Sequence, residues 1–341
     1  MKRHKCSFVK GLLLLCLFPT VLHAQQKILP QSYQLREAKA APQLKQLLVQ
    51  QRTFIQQNKL DFLVSNTSVS EFKLDRITGV LPVTDKQRSE ATTLINSKVL
   101  SQDVLNIIKQ LKVTCKTDDR SYDARNAHYV PAIRFQECGN CWAYSSVGVL
   151  EISDIKVNHV SPPTDIDLSE KQIVACSGAG SCSGGWPYQV LEWLTKTGTR
   201  VMPAAQDPDN GTNGPCLPVP SDAKVAALDW GIVDPSAGLF NLASVDKIKE
   251  AICTYGSVSC CLEATPLFQN FAGSGVFKET ASTTSNPGVN HAIVLIGWDD
   301  TKQAWLLRNS WGTDWGDQGY AWISYHTNNI GYGAIWVVAK K

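Results

Sequence analysis

The sequence predicts an α+β protein with a mainly helical N-terminal region, then a helical lobe and finally a mainly β lobe. From Gln25 to about Lys116, apolar residues follow helical spacing and there is no tryptophan, whereas all ten tryptophans come later. Helical spacing continues after Cys141, but beyond Asp234 the apolar runs are short and are bounded by Gly, Asn or Asp, as strands are. With 341 residues, the chain has room for two lobes and an additional segment.

The composition is that of a globular protein. Hydrophobic residues make up 43% of the chain and charged residues 18%, which is enough apolar surface to offset the entropy cost of folding. The formal net charge is only +3, and no block of Lys and Arg interleaved with aromatic residues lies downstream of the first few positions. We therefore expect no nucleic-acid partner.

Residues 1–24 have the layout of a secretory signal peptide. An apolar run from Gly11 to Leu22 precedes a small residue, Ala24, and basic residues precede the run: Lys2, Arg3, Lys5 and Lys10. The alternative is a membrane anchor, but the run is shorter than the roughly 20 residues that span a bilayer. We expect export to an extracellular, periplasmic or lysosome-like compartment, without stable membrane insertion.

The cysteine count fits an exported chain, because disulfides persist in oxidising compartments. Of the 11 cysteines, Cys6 and Cys16 lie in the predicted signal peptide, which leaves nine. Nine cysteines cannot all pair within one chain, so at least one thiol should be free.

Two amphipathic helices are predicted in the N-terminal region. One is indicated by apolar residues at helical spacing from Leu44 to Ile55. The other follows a possible cap at Ser101 and has the spacing i, i+3, i+4, i+7 in Val104, Ile107, Ile108 and Leu111. The composition changes near Thr117 to Ser121, where we place a domain boundary.

The second half is predicted to change from helices to strands. A helix after Cys141 should bury one face, which carries Ala143, Val147, Leu150 and Ile155, and another helix should begin at Ser169. Strands are predicted at 257–262, 292–298 and 304–307. The helical lobe then covers about 118–232 and the β lobe about 233–341.

A segment around Cys141 carries the most specific chemical signal. The run Cys138-Gly139-Asn140-Cys141-Trp142-Ala143-Tyr144-Ser145 resembles the active-site signature of the papain and cathepsin family of cysteine peptidases. A thiol nucleophile must be ionised, and a helix N-terminus beside an imidazole lowers its pKa. The resemblance implies that Cys141 is the nucleophile.

Two later segments match the partners that this family requires. His291 lies 150 residues after Cys141 and begins an apolar run, where the resemblance implies the catalytic base. The segment Asn309-Ser310-Trp311-Gly312 is similar to the family's Asn-Ser-Trp-Gly motif. It implies that Asn309 orients the imidazole and that Trp311 shields their hydrogen bond beside the substrate.

The resemblance implies acyl transfer through a thioester, which needs no metal or cofactor. The oxyanion would be bound by the backbone N–H of the nucleophile and by the side chain of Gln136. Gln136 lies five residues before Cys141, whereas the family's glutamine lies six before its nucleophile, and Phe135 occupies the sixth position here. The loop is thus one residue shorter.

The resemblance also implies two disulfides. Cys182, in a Cys-x-Gly-Gly-aromatic-Pro segment, would pair with Cys138, and Cys176 would pair with Cys216. The family's usual third bridge is missing, because Ile330 stands at one of its positions. Four cysteines remain unassigned: Cys115, Cys253, Cys260 and Cys261.

The resemblance implies that a substrate binds in extended form beside Gly184 and Gly185. By resemblance, the pocket for the side chain two residues before the cut would be lined by Trp186, Pro187, Cys261, Val289 and Ile335. Because these residues are apolar, we expect a preference for a bulky hydrophobic residue there.

The arrangement of the chain implies a precursor. Residues 25–117 have the size and place of a propeptide, which in this family covers the cleft, and residues 118–341 would form a papain-like domain with a β-barrel-like second lobe. We expect a monomer that acts on polypeptides and is inhibited by its own propeptide. A separate binding module is the alternative for residues 25–117.

Other functions remain open at this point. Cys138-Gly139-Asn140-Cys141 is a C-x-x-C motif, as in disulfide oxidoreductases, but that function leaves His291 and Asn309 unused. A zinc site is weaker still, since only one such motif is present. A non-catalytic papain-like binding protein and a transpeptidase are further alternatives.

Overall fold

The computed structural model describes residues 28–111, 113–163, 166–279 and 288–340. The predicted signal peptide, residues 1–24, lies outside this range. Within the described ranges, no helix has both the length and the apolar character needed to cross a bilayer.

The N-terminal region is helical, as predicted. Its helices are α1 (Gln31–Lys39), α2 (Pro42–Gln57), α3 (Leu74–Ile77), α4 (Asp85–Ser97) and α5 (Gln102–Gln110). The two predicted helices correspond to α2 and α5 and are confirmed: α2 buries Leu44, Leu48 and Ile55, and Ser101 Oγ accepts the N–H of Val104 at the start of α5.

Helix α4 was not predicted because it has few apolar residues, and Ala91 is its buried side chain. A capping box starts it instead, in which Thr84 and Gln87 satisfy each other's backbone N–H groups. This local hydrogen bonding was the signal available in the sequence.

The helical lobe contains α6 (Cys141–Asn158), α7 (Glu170–Cys176) and α8 (Pro187–Thr197). The predicted start of α7 is confirmed, because Ser169 Oγ accepts the N–H of Gln172. The prediction of one buried face for α6 was wrong, since every residue from Cys141 to Val157 is buried. The helix passes between α7 and α8 on one side and the main sheet on the other, so it has no solvent face.

The main sheet has the strand order β4-β5-β11-β6-β8-β9-β10-β7, and β1 pairs with β8. Its strands are β1 (Ser121–Asp123), β4 (Arg200–Val201), β5 (Val225–Ile232), β6 (Val258–Leu262), β7 (Val276–Phe277), β8 (His291–Asp299), β9 (Ala304–Arg308), β10 (Tyr320–Ser324) and β11 (Tyr332–Ala339). The three predicted strands correspond to β6, β8 and β9 and are confirmed. Strand β5 pairs with β11, and β1 and β4 also belong to this sheet, so three of its strands come from the range expected to be helical.

Smaller elements complete the described fold. Strands β2 (Gly180–Ser181) and β3 (Gly184–Gly185) form a hairpin, and helices α9 (Val245–Tyr255) and α10 (Pro266–Gln269) flank β6. Strands β8 and β9 are antiparallel, with Val294 opposite Arg308. This register brings Asn309, just after β9, close to the first residue of β8, His291.

The N-terminal helices pack on the β lobe. Tyr33 donates its hydroxyl hydrogen to the Gly316 carbonyl at 2.8 Å, and Gln51 Nε2 donates to the Pro266 carbonyl at 2.9 Å. The ring of Phe62 lies 5.0 Å from that of Phe277. Residues 28–73 are therefore held on the β lobe by both polar and aromatic contacts.

Three disulfides connect described residues: Cys138–Cys182, Cys176–Cys216 and Cys115–Cys253. The first two are the pairs that the resemblance implies. The third was not assigned from the sequence, and it joins the region predicted as propeptide to α9. Cys141, Cys260 and Cys261 are free and buried.

Candidate active site

Cys141 is the first residue of α6, where backbone N–H groups have no partner within the helix. Its side chain is fully buried, and its Sγ accepts the N–H of Ala292 at 3.4 Å. Ala292 follows His291 in β8, so the start of β8 lies against the start of α6. The structure thus brings the predicted nucleophile to the strand that begins with the predicted base.

The His291 ring is held by two neighbours. Its Nε2 lies 2.8 Å from Asn309 Oδ1, and the Trp311 ring stacks on it with centroids 4.6 Å apart. The same Asn309 oxygen accepts the N–H of Ser310 at 2.9 Å. The Asn309 oxygen and the Trp311 indole, which excludes water, together fix the plane of the imidazole. The other ring nitrogen of His291, Nδ1, has no hydrogen-bond partner among the described residues.

Burial keeps both groups neutral in this structure. It raises the pKa of the Cys141 thiol to about 12, although backbone N–H groups, including that of Gly79, oppose the rise. Burial also lowers the pKa of His291 to about 4, against the opposing hydrogen bond with Asn309. At neutral pH the site therefore holds a thiol and a neutral imidazole.

The burial comes from a segment of the N-terminal region, residues 77–83, which we call the cover segment. The Ile77 carbonyl accepts the indole N–H of Trp311 at 3.0 Å. Gly79 donates its N–H to the Asn290 carbonyl at 2.9 Å, and its own carbonyl accepts the N–H of Gly185 at 2.8 Å. The cover segment thus lies across the site and bonds to both sides of it.

Gly79 makes the closest approach in the cover segment. A Cβ added to Gly79 would lie 1.8 Å from the carbonyl oxygen of Gly139, two residues before Cys141. No side chain can fit in that space, so only glycine lets the cover segment pass here.

Gln136 lies close to the site, but its amide is occupied. Its Oε1 accepts the hydroxyl of Ser310 at 2.7 Å, and its Nε2 donates to the Cys138 carbonyl at 2.7 Å. The backbone N–H of Gln136 also donates to the Ser310 carbonyl at 2.8 Å. The shortened loop therefore keeps Gln136 beside the Asn309–Trp311 segment, with its amide donor directed to its own loop.

Asp209 anchors the loop that carries the predicted nucleophile, Cys141. Its Oδ2 accepts from Asn140 Nδ2 at 3.0 Å and from the Tyr144 hydroxyl at 2.9 Å. The N–H of Glu137 donates to the same oxygen at 3.3 Å. Asp209 lies far along the chain in an irregular segment, so no pattern in the sequence indicated this contact.

The comparisons with known proteins agree with this geometry. The family model described as papain family cysteine protease matches residues 119–337. This chain belongs to the papain family. Its relatives include thiol protease aleurain of Arabidopsis thaliana, which is 31% identical over 64% of this chain and 60% of its own length. Cathepsin O of Mus musculus is 32% identical over 62% of this chain and 64% of its own length. The match thus spans less than two thirds of these relatives.

A solved structure extends the likeness to the N-terminal region. Digestive procathepsin L2 from the larval midgut of Tenebrio molitor superposes with a TM-score of 0.69 over 92% of this chain and 95% of its own, at 19% identity. At that identity the match shows the fold. The fold of this papain-family chain therefore includes the helices before the matched domain.

A cavity of about 150 Å³ lies beside this papain-family cleft. Trp186 and Val289, both predicted for the substrate pocket, line it together with Gly288 and Tyr332, and the cover segment closes it with Leu81, Pro82 and Val83. Two other predicted pocket residues are buried nearby: Pro187 begins α8, and Cys261 is in β6. Ile335 is fully buried and pairs with Ser259 in the sheet.

Neither the cover segment nor Tyr332 was predicted from the sequence. A signal for the cover segment was present, because Gly79-Val80-Leu81-Pro82 combines a flexible glycine with a proline that favours an extended residue before it. The structure pairs Val80 with Gly185, the residue predicted to contact substrate. Tyr332 had no comparable signal.

Proposed function

We propose that this chain is an exported cysteine endopeptidase, synthesised as a zymogen, that hydrolyses peptide bonds with Cys141 and His291. One observation carries the proposal. His291 lies 2.8 Å from Asn309 and is stacked on the Trp311 ring, and it begins the strand whose next residue, Ala292, contacts Cys141. This is the arrangement of a nucleophile, a base and a group that orients the base. The predicted signal peptide and the three disulfides support export.

The mechanism begins when the cover segment leaves the cleft. Water then reaches the site, and the proton of the Cys141 thiol moves to His291, because the N-terminus of α6 favours the thiolate. The thiolate attacks the peptide carbonyl, and the imidazolium protonates the departing amine. Water, deprotonated by His291, hydrolyses the thioester and restores the thiol.

The oxyanion needs fixed donors at the attacked carbonyl. The backbone N–H of Cys141 is one, since it begins α6. Gln136 is the second donor in this proposal, after its amide turns from the Cys138 carbonyl, 2.7 Å away, toward the cleft. Its hydrogen bond from Ser310 serves as the pivot.

The cover segment would act as the intramolecular inhibitor. It occupies the N–H of Gly185 and places Leu81 in the cavity beside Trp186. An extended substrate would use the same backbone group, and its apolar side chain two residues before the cut would take the place of Leu81. Peptides with a bulky hydrophobic residue at that position should be the preferred substrates.

The disulfide oxidoreductase hypothesis is disfavoured by a covalent bond. Cys138 is joined to Cys182, so it is not paired with Cys141 as a C-x-x-C redox site requires. A papain-like protein that only binds peptides is a further alternative, and activity distinguishes it.

The decisive experiment compares the processed wild-type protein with Cys141→Ala on an unblocked peptide that has leucine two residues before the cut. We expect wild type to turn over and Cys141→Ala to lose at least about a thousandfold of kcat/KM, as expected for a missing nucleophile. Cys260→Ala is the matched control, because Cys260 is a free, buried thiol in β6, and it should keep full activity. Equal turnover by wild type and Cys141→Ala would reject the proposal.

A further inference from the structure

The Cys115–Cys253 disulfide determines what can leave the molecule on activation. Cys115 lies within residues 25–117, the predicted propeptide, and Cys253 lies in α9 of the β lobe. Both are buried, with exposed fractions of 7% and 3%. A cut at residue 117 would break the chain but leave the preceding residues attached through sulfur.

Helix α5, just before this disulfide, packs as part of the peptidase domain. Val104 is 1% exposed, and Ile107 and Leu111 pack against the core cluster that contains Val157 and Cys253. Removing α5 would expose these apolar residues to water, at about 25 cal/mol for each Å². The segment from α5 to Cys115 is thus held by packing as well as by a covalent bond.

The turn between α4 and α5 is one exposed stretch of this region, and residues 116–118 are another. Val99 is 86% exposed, and the residues on either side of Val99 and Leu100, Lys98 and Ser101, have extended backbone angles. Exposed, extended backbone is where proteases cut. Helix α4 contains no cysteine and buries only Ala91, so after such a cut it would be held by non-covalent contacts alone.

The two possible cleavage regions differ in the apolar side chains that they contain. The comparison rests on the proposed function, because it uses the expected preference of the cleft. Residues 116–120 read Lys-Thr-Asp-Asp-Arg and have no apolar side chain, whereas the α4–α5 turn contains Val99 and Leu100. A cleft that requires an apolar residue two positions before the cut can accept the turn but not the charged run.

We propose that maturation hydrolyses the peptide bond after Leu100 or after Ser101, and that the mature enzyme keeps residues 102–115 anchored by the Cys115–Cys253 disulfide. Water adds across one peptide bond and yields a carboxylate and an amino group. The disulfide is unchanged, so no oxidant or reductant is consumed. The cover segment leaves with α4 and the helices before it.

Mass analysis of the matured, alkylated protein tests this directly, before and after reduction. The expected mature form begins at Ser101 or Gln102, or holds residues 102–115 as a peptide released only by reduction. A mature form that lacks residues 102–110 before reduction overturns the inference.

A second arm separates this inference from the proposed function. The Cys141→Ala precursor is treated with a trace of subtilisin, a protease of broad specificity, so the cut does not depend on the chain's own activity. We expect the first cut in the α4–α5 turn and retention of residues 102–115 until reduction. A first cut in residues 116–120, followed by loss of α5 without reduction, overturns the inference even if the wild-type protein is an active peptidase.

Discussion

The contact between Asn309 and His291 gives a prediction for a single side chain. Asn309→Ala removes the oxygen that lies 2.8 Å from the imidazole, and a hydrogen bond to a charged group is worth about 1.5–3 kcal/mol. We expect kcat/KM of the processed enzyme to fall by about 10- to 150-fold. Asn106→Ala, at an exposed position of α5, is the control and should not change it. Equal kinetics for both variants would show that Asn309 does not orient the base.

Asp209 is predicted to position the nucleophile loop through its contacts with Asn140 and Tyr144. Asp209→Ala removes the acceptor of Asn140 and leaves the Tyr144 hydroxyl with the Phe135 carbonyl alone, so Cys141 and its N–H should lose their fixed geometry. We expect kcat to fall about tenfold with little change in KM. Asp222→Ala, an exposed carboxylate of the same segment, should match wild type. A rise in KM at constant kcat would contradict a positioning role.

The position of Gln136 near the site followed from the motif, but the direction of its amide did not. A sequence gives residue type and spacing, whereas the hydrogen bond of Gln136 to Cys138 depends on the local path of a loop that is one residue short. Tyr332 was not predicted either, because its position also depends on local backbone geometry. The register of β11 shifts between Tyr332 and Ile335, which changes the face that each side chain meets.

At the scale of elements, the cover segment is predicted to depend on Gly79. In Gly79→Ala the new methyl group would lie 1.8 Å from the Gly139 carbonyl oxygen, and overlap of this kind costs about 1–3 kcal/mol. The cover segment should leave the cleft more often, so the precursor should show about 5- to 150-fold more peptidase activity.

Gly288→Ala is the matched control for this experiment, because a Cβ at Gly288 meets nothing within 4 Å. Its precursor should be as inactive as wild type. A Gly79→Ala precursor that stays equally inactive would mean that the cover segment does not control access to Cys141.

The elements that the sequence predicted best were those with a strong local signal. Strand β8 was found from a continuous apolar run and α5 from its apolar spacing and its Ser101 cap. Helix α4 was missed because few of its residues are apolar. The Cys115–Cys253 pair could not be predicted, since pairing depends on three-dimensional proximity and the two residues are 138 positions apart.

At the scale of the whole molecule, acid should favour opening of the cleft. With the cover segment bound, the pKa of His291 is about 4, below the ordinary value of 6.5. In the open cleft the Cys141 proton moves to His291, so opening involves no net proton uptake by this pair. The pair therefore gives the opening equilibrium little pH dependence between pH 6.5 and 4.

The N-terminal helices supply the acid response. Burial raises the pKa of Glu37, but hydrogen bonds from Arg52 and Ser65 outweigh it and lower the pKa below the ordinary value of 4.5, so this contact weakens as the carboxylate is protonated. We expect the rate at which the purified precursor becomes active to rise as the pH falls below about 4.5. A rate that is constant or that rises toward alkaline pH would contradict this coupling.

The central claim is that Cys141 is a nucleophile that is covered in the precursor and activated when the cleft opens. Iodoacetamide labelling at pH 6, mapped by mass spectrometry, tests it most directly, with the buried thiols Cys260 and Cys261 as internal references. In the precursor all three should react slowly, because burial raises the pKa of each thiol. After processing, Cys141 alone should react at least about a hundredfold faster, as a thiolate beside an imidazolium does. A processed protein in which Cys141 stays as slow as Cys260 and Cys261 would contradict the account.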